Sequence, residues 1–391
     1  MTRIAFDGQL FLKGNKTGIG WCADNLIKAI AKTGNYDCQI NYFSKNYSDK
    51  ALANLEEYEK YGVKLRKCSW FNDVWYKMVW PFLRIPYTCF FGDDCQITQF
   101  FNYVIPPGVK GRKITIVHDM AHLAYPETVR PKTKRWLELT LMQSCKRADI
   151  IITVSEFSKS EIIQYLGIPE EKIVVMYNGV DLTFFHPNYS NDKIATVAKK
   201  YGITRDYFLY LGTIEPRKNI QRIIDAYVEL KKRRENIPQL ILAGGKGWLC
   251  DSIYKNVKDL NMPEDIIFTG YIAPEDSPLL ISGAVTFLFP SLYEGFGTPL
   301  IESMACGTPV ISANVASMPE VIGDAGLLVN PYEVEEIRES MERILDDGKL
   351  RKTLRDKGIQ RANQFTWDNS ARVLERVYNK VLKKEDTNNY Y

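Results

Sequence analysis

Three histidines, no Cys-x-x-Cys pair and no apolar run near the ~18 residues of a membrane-spanning helix mark what this 391-residue chain does without. Its eight cysteines are scattered, with no histidine at ligand spacing, which argues against a zinc site. They are expected to be reduced and mostly buried, as in a cytosolic protein. Excess charge of one sign is lacking as well. Against 51 basic residues stand 47 acidic ones, and the net +4 gives no argument for nucleic acid, although it suits anionic ligands or an anionic membrane surface. Met1 leads directly into RIAFDG without the basic, apolar and small segments of a signal peptide. The expected location is therefore cytoplasmic, at most peripheral on the inner face of a membrane. What remains is an ordinary globular composition, 45% hydrophobic and 25% charged, long enough for two domains.

Short β-branched runs alternate with longer amphipathic ones. RIAFDG, CQINYF, KITIVHD, DIIITVS and KIVVMYNGV read as strands, and after a polar stretch the pattern restarts with YFLYLGT, QLILAGG, DIIFTGYI, VTFLFPS and TPVISAN. Between them lie helical segments such as 220–235, apolar at Ile220, Ile223, Ile224, Tyr227 and Leu230. Strands apolar nearly throughout, interleaved with helices, predict an α/β protein with parallel sheets covered on both faces. The expected division is a Rossmann-like domain over 1–186, a linker over 187–205 and a second Rossmann-like domain over 206–368, facing each other across a cleft. A final amphipathic helix over 369–391 would pack back on the first domain. Such sheets bind ligands beyond the carboxyl ends of their strands, where every unusual motif of this chain falls.

In FPSLYEGFGTPLIESMACGTPVIS, residues 289–312, an apolar strand runs into a loop and then a short helix, with Pro299 read as its first residue and Thr298 as its cap. Gly295 and Gly297 let backbone amides approach a ligand, and the helix start favours negative charge. Glu294 and Glu302 are themselves acids, so they suit hydroxyls: a carboxylate accepts two hydrogen bonds from a vicinal diol. In YLGTIEPRKNI, Arg217 and Lys218 would straddle a diphosphate at a helix start and stabilise charge as a sugar–phosphate bond breaks. Gly18, Ile19 and Gly20 fit the dinucleotide pattern G-x-G-x-x-A, but they lie well past the first strand, and the second strand ends in Ser44, where a ribose-binding acid would be needed. His118 and Asp119 stand at a strand end, the histidine able to hydrogen-bond a hydroxyl in its neutral form. Ser158 and Glu161 read as a capping box. The Asp93-Asp94 pair lacks a third metal ligand, so no metal is expected.

EGFGTPLIE resembles the Glu-x7-Glu signature of retaining nucleotide-sugar glycosyltransferases of family 4, which have the GT-B fold, and ACGTPVISANVASMPEVIGDAGLLV extends the resemblance. It spans nearly all of 207–369 and, more loosely, the N-terminal half. By resemblance Glu294 contacts the transferred sugar, Glu302 the ribose, the amides of Gly295, Phe296, Gly297 and Thr298 the donor, and the Gly18-Ile19-Gly20 loop its β-phosphate, while His118 lies near the hexose. Tyr271, a further candidate for donor binding, falls within residues 270–272, whose backbone amides are expected to meet the base. Relatives often place the arginine several residues earlier, where this chain has Thr213; the Pro-Arg-Lys-Asn form is similar to mannosyl- and rhamnosyltransferase branches. The resemblance implies transfer of a hexose or deoxyhexose from a nucleoside diphosphate sugar, without cofactor or metal, to a glycan acceptor held by the first domain.

Residues 64–91 interleave Trp70, Trp75, Tyr76 and Trp80 with cations, as interfacial helices do, and RPKTKRW at 130–136 is a second basic patch. Trp75, Trp80 and Asp119 are thus candidates for acceptor or membrane contact, with a polyprenyl-diphosphate-linked glycan as the expected acceptor. Competing readings are a nucleotide-sugar 2-epimerase of the same architecture, a glycan phosphorylase, an NAD-dependent dehydrogenase and a non-catalytic glycan-binding protein.

Overall fold

A computed structural model describes residues 1–12, 18–79 and 85–388. The chain divides into two compact units, the first comprising 1–120, 132–178 and 367–391, the second 121–131 and 179–366.

The sheet of the first unit holds seven parallel strands: β1 (Thr2–Asp7), β2 (Tyr36–Phe43), β3 (Lys64–Cys68), β4 (Ile97–Phe100), β5 (Arg112–Val117), β6 (Ile150–Thr153) and β7 (Ile173–Val175). Their order is β3-β2-β1-β4-β5-β6-β7, so the winding reverses between β1 and β4. Central strands are buried along their length, β6 in all four residues, as a sheet covered on both faces requires. The edge strand β3 is the exception. Its Lys64 pairs with Asp37 and its Arg66 with Asp94, so these cations of the aromatic-basic stretch belong to a strand and not to an interfacial helix. A charged edge also discourages pairing with another chain. Asp94 is taken by Arg3 and Arg66, each at 2.6 Å, which explains one acid of the Asp93-Asp94 pair structurally. The helix Trp367–Asn388 belongs to this unit, where the buried Tyr378 stacks edge-on against Tyr36 and its hydroxyl donates to Gln99.

Six parallel strands make the second sheet: β8 (Tyr207–Leu211), β9 (Gln239–Ala243), β10 (Ile266–Gly270), β11 (Thr286–Phe289), β12 (Val310–Ala313) and β13 (Gly326–Val329), in the order β10-β9-β8-β11-β12-β13. Here too the winding reverses at the centre, between β8 and β11. The helix Ile220–Arg233 lays Ile220, Ile223, Ile224, Tyr227 and Leu230 against the sheet, each fully buried. Each such side chain contributes about 1.5–3 kcal/mol. The stretch 187–205 is more than a tether: its residues Asn191–Lys200 form a helix within the second unit. Among the described residues no helix is long and apolar enough to cross a membrane.

Candidate active site

The reversal between β8 and β11 brings two loops together in the second unit. The first follows β8 and contains a short 3-10 turn, Pro216–Lys218, closed by Asn219 with φ +61°. The second follows β11 and runs from Pro290 to Gly297. Backbone and side chain stitch them: the Leu292 N–H donates to the Arg217 carbonyl at 2.9 Å, and the Asn219 side-chain amide donates to the Pro290 and Pro331 carbonyls at 2.9 and 2.6 Å. Asn219 is buried and rigidly placed, so it fixes the position of the two residues before it. The motif containing it was visible in the sequence, but its role as a staple depends on two distant prolines and was not.

Glu294 sits at the centre of this arrangement. The Lys218 ammonium donates to Glu294 Oε1, Arg217 Nη1 lies 3.2 Å from Oε2, and the same Nη1 donates to the Tyr293 carbonyl at 2.8 Å. Arg217 Nη2 donates to Glu215 at 3.0 Å, a partner that sequence reading missed. Only 7% of Glu294 is exposed, and Ser317 Oγ donates to its backbone carbonyl at 2.9 Å. Burial alone would raise the pKa of this carboxyl; the charges of Lys218 and Arg217 outweigh it and hold the pKa below the ordinary value. Lys218 Nζ also lies 5.2 Å from the centre of the Phe289 ring. Two cations and two carboxylates thus share one partly desolvated cluster, able to accept from hydroxyls and to donate to an anion.

Thr298 does not cap the next helix. The helix spans Thr298–Ala305, and its cap is Gly297 at φ +86°, so Thr298 is its first residue and Pro299 its second. A left-handed residue here swings the first-turn amides away from the strand direction, and glycine reaches that φ at least cost. Phe296 is core: its ring meets Phe365 edge-on at 5.6 Å. Glu302 lies on this helix, and among the described residues its carboxylate has no ion pair or side-chain hydrogen bond. Burial pushes its pKa up to about 7. Tyr271, following β10 and the turn at Gly270 (φ +70°), is 58% exposed.

The remaining candidates lie in the first unit. Gly18, Ile19 and Gly20 form the first turn of the helix Gly18–Thr33 and not a loop, so their amides have no acceptor within the helix itself. His118 follows β5 and is buried, and its Nε2 lies 2.8 Å from the Phe101 carbonyl. A carbonyl only accepts, so the ring proton sits on Nε2 and Nδ1 is left as an acceptor. Burial lowers the His118 pKa, which keeps the ring neutral near pH 7. Asp119 is half-buried beside it. Ser158 and Glu161 are not a capping box, because the cap is Ser155, whose hydroxyl accepts from the Ser158 N–H at 3.0 Å; the helix begins one turn earlier than the pattern suggested. Trp75 is 60% exposed on the helix Asp73–Val79, and Trp80 lies outside the described residues. No group of three or more His, Cys, Asp or Glu among the described residues is placed to hold a metal ion.

Residues 18–184 match the family model Glycosyltransferase Family 4, and residues 193–361 match Glycosyl transferases group 1. O-antigen chain mannosyltransferase B of Escherichia coli is 38% identical over 279 residues, covering 71% of this chain and 72% of that protein. O-antigen chain mannosyltransferase RfbU of Salmonella typhimurium is 28% identical, covering 84% and 87%. The match to the Escherichia coli serotype-specific mannosyltransferase WbdA, 28% identical, spans only 34% of that longer protein. Among solved structures, sucrose-phosphate synthase from Thermosynechococcus elongatus superposes with a TM-score of 0.75 at 18% identity, covering 98% of this chain and 100% of that one. These structures bear on the fold, which is α/β of the GT-B type.

Proposed function

For a chain that belongs to glycosyltransferase family 4, we propose transfer of a hexose or deoxyhexose, mannose first and rhamnose second, from a nucleoside diphosphate sugar to a glycan hydroxyl. The acceptor is a growing, polyprenyl-diphosphate-linked surface polysaccharide, met at the inner face of a membrane. The Lys218–Glu294–Arg217 cluster at the ends of β8 and β11 carries this reading. An arriving diphosphate would compete with Glu294 for both cations, releasing the carboxylate toward the sugar hydroxyls. As the bond from C1 to the phosphate oxygen breaks, Arg217 and Lys218 stabilise the charge growing on that oxygen. The acceptor oxygen bonds to C1 on the same face, and its proton passes to the departing phosphate, so the anomeric configuration is retained. Glu302 takes the ribose diol, and no metal enters any step.

A donor panel tests this. GDP-mannose is expected to release its nucleotide fastest, dTDP-rhamnose next and UDP-hexoses slowest, with chelator present and only when a mannan oligosaccharide is added. Conversion of a UDP-sugar without acceptor would favour the epimerase reading instead. The helix start at Gly18 gives a second check. A Cβ at Gly18 meets nothing within 4 Å, so Gly18→Ala is expected to keep or slightly raise Tm. If a phosphate rests on that turn, donor KM should rise several-fold; an unchanged KM would remove the turn from the donor site.

A further inference from the structure

Tyr125 follows the helix Ala121–Ala124 in the excursion 121–131, which is numbered within the first half of the chain but belongs to the second unit. Its backbone is held from both sides. The Tyr125 N–H donates to the Ala121 carbonyl at 2.9 Å, and its own carbonyl accepts from the Thr128 N–H at 3.0 Å and the Thr128 hydroxyl at 2.8 Å. A side chain on so fixed a backbone restrains whatever it touches, and Tyr125 touches two loops of the second unit. Its ring lies 5.3 Å from that of Tyr293, in the loop after β11, tilted by 47°. Its hydroxyl lies 3.1 Å from that of Tyr332, in the segment after β13.

Both contacts lead to the cation–carboxylate cluster. Tyr293 is buried, its carbonyl accepts from Arg217 Nη1 at 2.8 Å, and the next residue is Glu294. The Tyr293 peptide therefore helps to set where the Arg217 guanidinium points. Along the other route, Tyr332 follows Pro331, whose carbonyl accepts from the Asn219 amide at 2.6 Å. Arg222 Nη1 donates to Asn219 Oδ1 at 2.9 Å, and its guanidinium lies 5.5 Å from the centre of the Tyr332 ring. An arginine only donates and a carbonyl only accepts, so the Asn219 amide has a single orientation between them. Asn219 thus ties the loops after β11 and β13 to each other, and Tyr125 supplies a second tie from outside those loops. Its two contacts differ in weight. Tyr332 is 48% exposed, so water can replace its hydroxyl partner at little cost. The ring of Tyr293 is buried, and at this separation two aromatic rings attract beyond the area they cover. The ring contact is the stronger restraint.

We propose that Tyr125 is a positioning residue of the donor site, its ring fixing the Tyr293 peptide and through it the placement of Arg217 beside Glu294. It acts through Tyr293 and not on the substrate, and this assignment rests on the donor reading above. The excursion 121–131 then serves the site as well as the packing of the second unit.

Transfer from GDP-mannose and inhibition by GDP and GMP are measured on the full chain, with rates referred to the folded fraction. Tyr125→Leu keeps apolar bulk and removes the flat face that meets Tyr293. Its kcat is expected to fall roughly ten- to a hundredfold, the scale of a misplacement of about 1 Å. Arg217 is placed against the diphosphate, so the preference for GDP over GMP should shrink several-fold in the same variant, which a lower Tm alone does not cause. Tyr125→Met, filling the space with a flexible chain, should behave alike, so one poorly folded variant does not decide the matter. Tyr125→Phe keeps the ring and should return kcat and GDP preference to within about threefold of the unaltered protein. Tyr332→Phe should match it, and the double Phe variant should lose nothing more, since all three delete the same hydroxyl pair. Unchanged kcat and GDP preference in the Leu and Met variants, or a Phe variant as impaired as they are, would overturn the assignment. Failure of the donor reading is separately visible: the unaltered protein would then release no nucleotide from any sugar donor.

Discussion

Lys218→Ala is expected to lower kcat by about 10²–10³, the effect of deleting one preorganised group that meets charge developing in the transition state. The fold should survive, because Arg217 still faces Glu294 at 3.2 Å. Some stability will go: a buried carboxylate that loses one of two partners costs on the order of 3 kcal/mol. The double variant Lys218→Ala with Glu294→Gln separates the two consequences. Neutralising the carboxylate should restore most of the lost Tm, yet kcat should stay at least as low as in the single variant. If the single variant turned over donor at near the original rate, Lys218 would have no leaving-group role.

Glu302 gives the second large effect, through pH. Its carboxyl titrates near 7 in the folded chain, against an ordinary value of 4.5. A folded pKa above the unfolded one means the native state binds the proton more tightly, so the stabilisation is fully present below pH 4.5 and is lost as pH rises through 7. At about 1.4 kcal/mol for each pH unit, the loss across that window reaches up to about 3 kcal/mol. Glu302→Gln should abolish this slope and raise Tm at pH 8. Ribose hydroxyls donating to Glu302 favour its ionised form, so nucleoside diphosphate binding at pH 7 should release a fraction of a proton, measured by calorimetry in buffers of different ionisation enthalpy. The Gln variant should release none from this position. Uptake of a proton by the unaltered protein would remove Glu302 from the ribose site.

Long apolar strands and the helix Ile220–Arg233 were legible because burial on both faces, or along one helical stripe, leaves a pattern in a short window. β3, β4 and β13 were not recognised as strands. β3 is a charged edge strand that reads as a basic patch, β4 (Ile97–Phe100) breaks its apolar run with Thr98 and Gln99, and β13 (Gly326–Val329) opens on a glycine and lacks β-branched residues but for its last. Glu294, Arg217 and Lys218 could be listed from motifs, but their pairing could not, since it depends on two loops 76 residues apart meeting where the sheet reverses. Asn219 as a staple follows from the same meeting, whereas Glu215 is a local partner of Arg217, two residues before it in the same loop. The bridge made by Tyr125 was invisible for a related reason: Tyr293 and Tyr332 share no local pattern with it and reach it only through loops that follow different strands.

The excursion 121–131 has a practical consequence for exchanging sugar preference between relatives. Although both its flanks lie in the first unit, it belongs to the second, where Tyr125 sits 5.3 Å from the Tyr293 ring and its hydroxyl is 3.1 Å from that of Tyr332. A hybrid joined once, within 187–205, would graft a foreign second half onto a native 121–131 and a native first half onto a foreign final helix. Hybrids that carry 121–131 together with 179–366, and leave 367–388 with its original partner, keep both sets of packed surfaces matched.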